Sequence, residues 1–181
     1  TGFVGLGLGG HALMHIVTSI GLARIHMVWT HSMIAAPSSK SWFRRIVPRK
    51  QCKALLLPSL AFAVAQQVTV IMPIAVAFAF GLPQEMHNQE FDFMGVFVAL
   101  AILLPASVTL TRIEAALLPE DQETIVPFDR SSVIGDLDLQ TRGACRAVFV
   151  EAWKSFEPAA RLRLIKLYVK MFSLQVAIAV F

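Results

Sequence analysis

Three histidines early in the chain, His11, His15 and His26, stand 4 and 11 positions apart. At 100° per residue they fall within roughly 60° of one another on one helix face. Neutral imidazoles one turn apart can converge on a metal ion or a haem iron, which makes His11 and His15 the candidate ligands for either. No Glu or Asp precedes Glu85, however, so no nearby carboxylate completes a metal site. These rings are therefore expected to hydrogen-bond neighbouring helices, and neither a metal nor another cofactor is expected. A second group able to do chemistry is Gln66, Gln67 and Thr69, inside a long apolar run. An amide facing lipid lacks partners, so at least one of the two should point inward and bond another helix. Pro73 cannot donate to the carbonyl of Thr69, and Pro105 cannot donate to that of Ala101, so both runs should be opened locally. Polar side chains beside broken helices are how transporters hold solutes, which makes Gln66, Gln67 and Thr69 a candidate small-ligand site.

Other patterns carry less. Gly5 to Gly10 contains G-x-G-x-x-G, but no strand precedes it and no acid follows about 20 residues on, so a dinucleotide site is excluded. The same stretch holds Gly5-x-x-x-Gly9, a spacing that lets two helix backbones approach closely in lipid. Cys52 and Cys145 lie 93 positions apart, in neither a C-x-x-C nor a metal-spaced set, and imply no disulfide framework. Glu120, Asp121 and Glu123 follow Pro119 in a polar stretch and read as a solvated loop. Asp136 and Asp138 lack the further ligands of a calcium loop. Glu114, in a helical continuation over 112–118, is expected to be exposed.

The elements that must position these residues follow from composition and charge placement. Apolar residues make up 56% of the chain and charged ones 15%, with a mean hydropathy of +0.64, against about 45–50% and 25% in soluble domains. A chain of 181 residues cannot hide that much apolar surface without lipid or a partner. The net charge of +4 does not point to nucleic acid, because the cations flank apolar runs. Uncharged or nearly uncharged segments run over about 2–35, 54–82 and 93–111, each long enough for the ~20 residues a span requires. Between the first two lie Lys40, Arg44, Arg45, Arg49, Lys50 and Lys53 with no acid. Between the second and third lie Glu85, Glu90 and Asp92 with no Lys or Arg. Beyond the third come Arg112, Arg161, Arg163, Lys166 and Lys170. By the positive-inside rule this alternation places the basic loops in the cytoplasm. Six cations beside Trp42 and Phe43 can also hold anionic headgroups, at about 1 kcal/mol each.

The segment 144–170 reads as a cytoplasmic helix or helix pair broken near Pro158, with an apolar stripe of Val148, Phe149, Ala152, Trp153 and Phe156. Such a helix can lie in the membrane interface or pack on the protein's own loops. From Leu167 to Phe181 the chain is an apolar stretch interrupted by Lys170, with Gln175 its one amide. That is about 22 Å of helix, the expected first part of a fourth span in a longer polypeptide. The organisation expected is a transmembrane region over 1–118, a cytoplasmic loop and helix over 119–158, and a basic interfacial helix over 159–181.

The stretches "LLPEDQETIVPFDRS", "EAWKSFEPAARLRLIKLYVKMF" and "WTHSMIAAPSSKSWFRRI" resemble a family of multi-pass membrane proteins of filamentous fungi. The resemblance covers most of residues 25 to 172 and implies a polytopic fold without implying an activity. Some members carry the label ubiquitin carrier protein, yet neither Cys52 nor Cys145 has the His-Pro-Asn context of a conjugating enzyme.

The fold expected is all-α and polytopic. The function expected is non-enzymatic organisation of helices or partner subunits in an endomembrane such as the endoplasmic reticulum, with lipids as partners. The alternatives are a transporter built on Gln66 and Gln67 and a haem or metal protein built on His11 and His15. Labelling in sealed vesicles checks the topology: a cysteine introduced at position 88 should react from the side opposite to Cys52, and reaction from the same side would sink the three-span arrangement.

Overall fold

Helix α1 runs without interruption over Gly2–Ile34, because nothing from Gly2 to Ile34 forces the backbone out of the helical well. A computed structural model of the chain describes residues 2–37, 51–81, 89–119, 122–135 and 144–180. A 3₁₀ turn, Gln51–Leu55, leads into α2, Leu56–Phe80. Pro73 lies within α2, and Gly81 ends it in the left-handed conformation at φ 60°, its N–H reaching the carbonyls of Ala77 and Phe78. Only glycine adopts that φ without a Cβ penalty. A third long helical unit comprises α3, Gln89–Val98, a π-helical turn, Ala99–Leu103, and α4, Leu104–Ala116. The break expected at Pro105 is thus a π turn, in which the N–H of Leu104 reaches the carbonyl of Ala99 immediately before the proline. The remaining helices are α5, Ala144–Lys154, and α6, Pro158–Val180. Pro158 opens α6 at its first position, where its missing N–H has no helical partner to lose.

The protein is an all-α membrane protein. Among the described residues, three helices are long and apolar enough to cross a bilayer, Gly9–Ile34, Lys53–Phe80 and Met94–Ala116. Their outer faces keep large apolar side chains in the open, with Phe78 72% and Phe97 78% exposed, which only lipid or another apolar partner makes favourable. The buried core lies at one end, where α1 finishes, α2 begins and α4 finishes. Met27, Leu55, Ile113, Val133 and Val148 are fully enclosed there. We call this the capped end.

Two pieces form the cap. The segment 122–135 lies against the end of α1, where Ala36 N–H donates to Glu123 O at 2.8 Å and Ile125 N–H to Ile34 O at 2.9 Å. Within it, the hydroxyl and N–H of Ser131 hold the Asp129 carboxyl below the usual carboxylate range. The second piece, α5, lies across the start of α2 and the end of α4. Cys145 Sγ contacts Lys53 O at 2.8 Å, and Arg112 of α4 donates from Nε to Ala152 O at 3.0 Å and from Nη2 to Ser155 Oγ at 2.9 Å. Of the apolar stripe read from the sequence, Val148 and Ala152 are fully buried against the protein itself.

α6 turns back along the third helical unit. Tyr168, Met171 and Phe172 share a cavity with Val96, Leu100 and Leu104. The helix is regular to Val180, and the charges at Arg163, Lys166 and Lys170 keep it out of the set of three spanning helices. Arg161 at its start stacks 4.3 Å from the centre of the Trp153 ring and also donates to the Trp153 carbonyl.

Arg112 satisfies the carboxyl end of α5 while its guanidinium faces Phe128 and Phe156 at 5.6 and 5.2 Å. A lysine cannot make both bonds in one plane and stack as well. Arg112→Lys should therefore lower stability by about 1–3 kcal/mol and expose the 122–157 region to protease. Thermal unfolding in micelles and limited proteolysis would measure this, and an unchanged midpoint would mean that the arginine contributes little to the cap.

Candidate functional site

A span that carries a polar group must find it a partner inside the protein, since lipid offers none. Near its end α1 carries His26, Thr30 and His31 among its polar groups, and α4 carries Glu114 one turn after Leu110. Of the residues three and four positions from Glu114, Leu110, Leu117 and Leu118 are buried and only Thr111 is exposed. Glu114 therefore shares the face that packs inward, and its side chain is 0% exposed. The sequence-based expectation of an exposed Glu114 is wrong, for that reason.

The carboxylate is bonded through both oxygens. Oε1 lies 2.7 Å from His26 Nδ1, and Thr30 Oγ1 donates to Oε2 at 2.7 Å. His26 and Thr30 are one helical turn apart, so a single face of α1 presents both donors to the carboxylate. His31 Nε2 lies 2.7 Å from the main-chain oxygen of the same glutamate. A carbonyl can only accept, so Nε2 carries the proton. In the neutral ring, Nδ1 is then a bare acceptor, and it is buried without a hydrogen-bond partner among the described residues. The His26 side chain is 39% exposed and packs near Trp29 and Phe62, with ring centres 6.0 and 6.4 Å away.

The same cluster closes the end of α4. The last carbonyls of a helix lack intrahelical donors, and here the residues carrying them, Glu114 to Leu118, are buried. His31 serves Glu114. Arg130 serves Leu118 O at 2.8 Å and Pro119 O at 3.2 Å through Nη1, and the Gln122 carbonyl through Nη2. What the arrangement does chemically is hold a carboxyl group, two imidazoles and a guanidinium at the meeting point of α1, α4 and the 122–130 segment. It offers the carboxylate no open face toward a substrate.

The other residues singled out from the sequence lie elsewhere. His11 is exposed and His15 half-buried, its Nδ1 buried without a hydrogen-bond partner among the described residues. Among the described residues, no three His, Cys, Asp or Glu side chains converge as a metal site. Gly9 is exposed, and a Cβ added there would meet nothing within 4 Å; the side-chain position of Gly5 lies outside the described residues. Gln67 is buried and Gln66 half-buried, and among the described residues neither makes an interhelical hydrogen bond. Thr69 spends its hydroxyl on Ala65 O of its own helix at 2.8 Å. Lys53 is exposed, whereas Lys40, Arg44, Arg45, Arg49 and Lys50 lie outside the described residues, as do the side chains of Cys52, Glu85, Glu90, Asp92, Asp136 and Asp138.

Comparison with known protein families, curated proteins and solved structures finds no match to this chain.

Glu114→Leu strands a histidine and a threonine, whereas Glu114→Gln can still accept from one and fill the same volume. We expect the leucine variant to lose about 3–5 kcal/mol and the glutamine variant about 1–2 kcal/mol, read as unfolding midpoints in micelles. Equal losses would show that hydrogen bonding to the carboxylate is not what holds α1 to α4.

Proposed function

We propose that this protein is a non-enzymatic organiser of helices or partner subunits in an endomembrane such as the endoplasmic reticulum, with the capped end and its basic loops in the cytoplasm. One observation carries the reading: His26, Thr30, His31 and Glu114 are turned on one another, while the described openings between the helices are apolar and the polar one, at 122–130, lies in the cap. Two apolar cavities among the described residues, of about 590 and 380 Å³, include none of His26, Thr30, His31 or Glu114. An enzyme or a transporter of polar solutes places such groups at the wall of an accessible cavity. Here they fasten the bundle to its cap. What remains for contact with other molecules is a set of exposed apolar helix faces below a folded layer of loops and α5. Such a surface suits recognition of other membrane helices or of lipid.

Photo-crosslinking in native membranes tests this. A photoreactive residue at Phe78 or Phe97 on the exposed faces should give discrete adducts with particular membrane proteins, and one at Thr18 near the middle of α1 serves as a reference. If all positions yield lipid alone, and proteoliposomes show solute flux that Gln67→Leu abolishes, the transport reading replaces this one. A Soret band in the purified protein would likewise replace it with a haem protein.

A further inference from the structure

The larger apolar cavity is a groove between two spans. α2 borders it with Ala61, Val64, Ala65 and Val68, and the third helical unit faces these with Ala101, Pro105 and Ala106. Alanines on both sides leave the helices without bulk to fill the space. The π turn lies in the same stretch and contributes Ala101, which is exposed, to the wall. The result is a volume of about 590 Å³, within the ~300–1,000 Å³ of ligand clefts.

The groove offers nothing to a polar solute. Its one hydroxyl, Thr109 Oγ1, already donates to Pro105 O at 2.7 Å. At the capped end it is roofed by α5 through Phe149, Val150 and Trp153, with Lys154 at the rim. Arg146 lies on the same face of α5, two turns before Trp153, and both cations are exposed. The roof decides between occupants. A straight transmembrane helix about 10 Å across would run into α5, whereas a flexible chain can end beneath it and leave past Lys154.

We propose that this groove binds an acyl chain of an anionic glycerophospholipid, with the headgroup held at the rim by Lys154 and Arg146. A tryptophan ring at the boundary and two cations facing water match the headgroup level, and the wall below matches the chain. The site stands apart from the proposed organising role: lipid can occupy it whether or not the outer faces engage partner helices.

The test uses the full chain in nanodiscs containing phosphatidylserine or phosphatidylcholine with a diazirine in the acyl chain, and peptide mapping of the adducts. We expect adducts concentrated in residues 61–68 and 101–109, severalfold above those on the exposed Leu13–Val17 face of α1, and stronger with phosphatidylserine. Ala61→Phe and Ala106→Phe should each remove the groove adducts and leave those on α1. Lys154→Gln should reduce the phosphatidylserine preference about fivefold, the equivalent of ~1 kcal/mol per cation near an anionic surface. Adducts spread evenly over every exposed apolar face would overturn the proposal. So would groove adducts that survive in both phenylalanine variants, or a headgroup preference unchanged in Lys154→Gln and Arg146→Gln alike.

Discussion

A carboxylate enclosed by apolar side chains at the end of a membrane bundle must be given hydrogen-bond donors, and that requirement organises this fold. Glu114 has no solvent contact, so its charge or its proton has to be accommodated by the protein. The donors come from α1, which fixes both the rotation of that helix and its depth beside α4. A shift of α1 by one residue would turn His26 and Thr30 away together. Apolar packing alone would permit such a slip, since the alanine, leucine and valine surfaces of α1 are much alike in lipid. The polar pair removes the freedom, in the way a buried polar residue sets the register of a coiled coil.

Around that fixed point, the cap is held by three arginines that find carbonyls and aromatic rings in place of carboxylates. Arg112 and Arg161 converge on the end of α5, and Arg130 serves the end of α4. Each guanidinium donates to main-chain oxygens at or just beyond a helix end, and two of them lie over rings that accept a cation. Helix termini, which are normally weak points, thus become the joints between the spans and the layer above them.

The spans were legible in the sequence because hydrocarbon thickness and the cost of charge leave few ways to write one. The segments read as 54–82 and 93–111 correspond to Lys53–Phe80 and Met94–Ala116. The pair of helices separated near Pro158 was also legible. The buried cluster was not, because it depends on a contact between residues 88 positions apart that no local pattern encodes. One local sign did exist. Glu114 has leucines at three of its four third and fourth neighbours, Leu110, Leu117 and Leu118, and a solvated acid rarely has such a flank. His31, too, could have been noticed as the partner of a buried helix end. Its value appears only once the 122–130 segment is seen folded over it, with Arg130 alongside. The π turn was hidden for another reason: a proline announces that a helix ladder is interrupted without saying which geometry absorbs the interruption.

The distance along the chain between the partners of this cluster also orders its biosynthesis. α1 enters the membrane carrying His26, Thr30 and His31 near its end, and their partners are still to be made. Glu114 lies more than 80 residues further on, and the Glu123 to Ile125 stretch that pairs with the end of α1 follows after it. Until the third helical unit has been inserted, the first span holds unsatisfied polar atoms in or near lipid, and whatever chaperone or insertase attends it at that stage sees a hydrophilic face that the finished molecule hides. Closure of a loop this long is slow relative to local helix formation, so the nascent protein passes through a stage in which its first helix is inserted and not yet assembled.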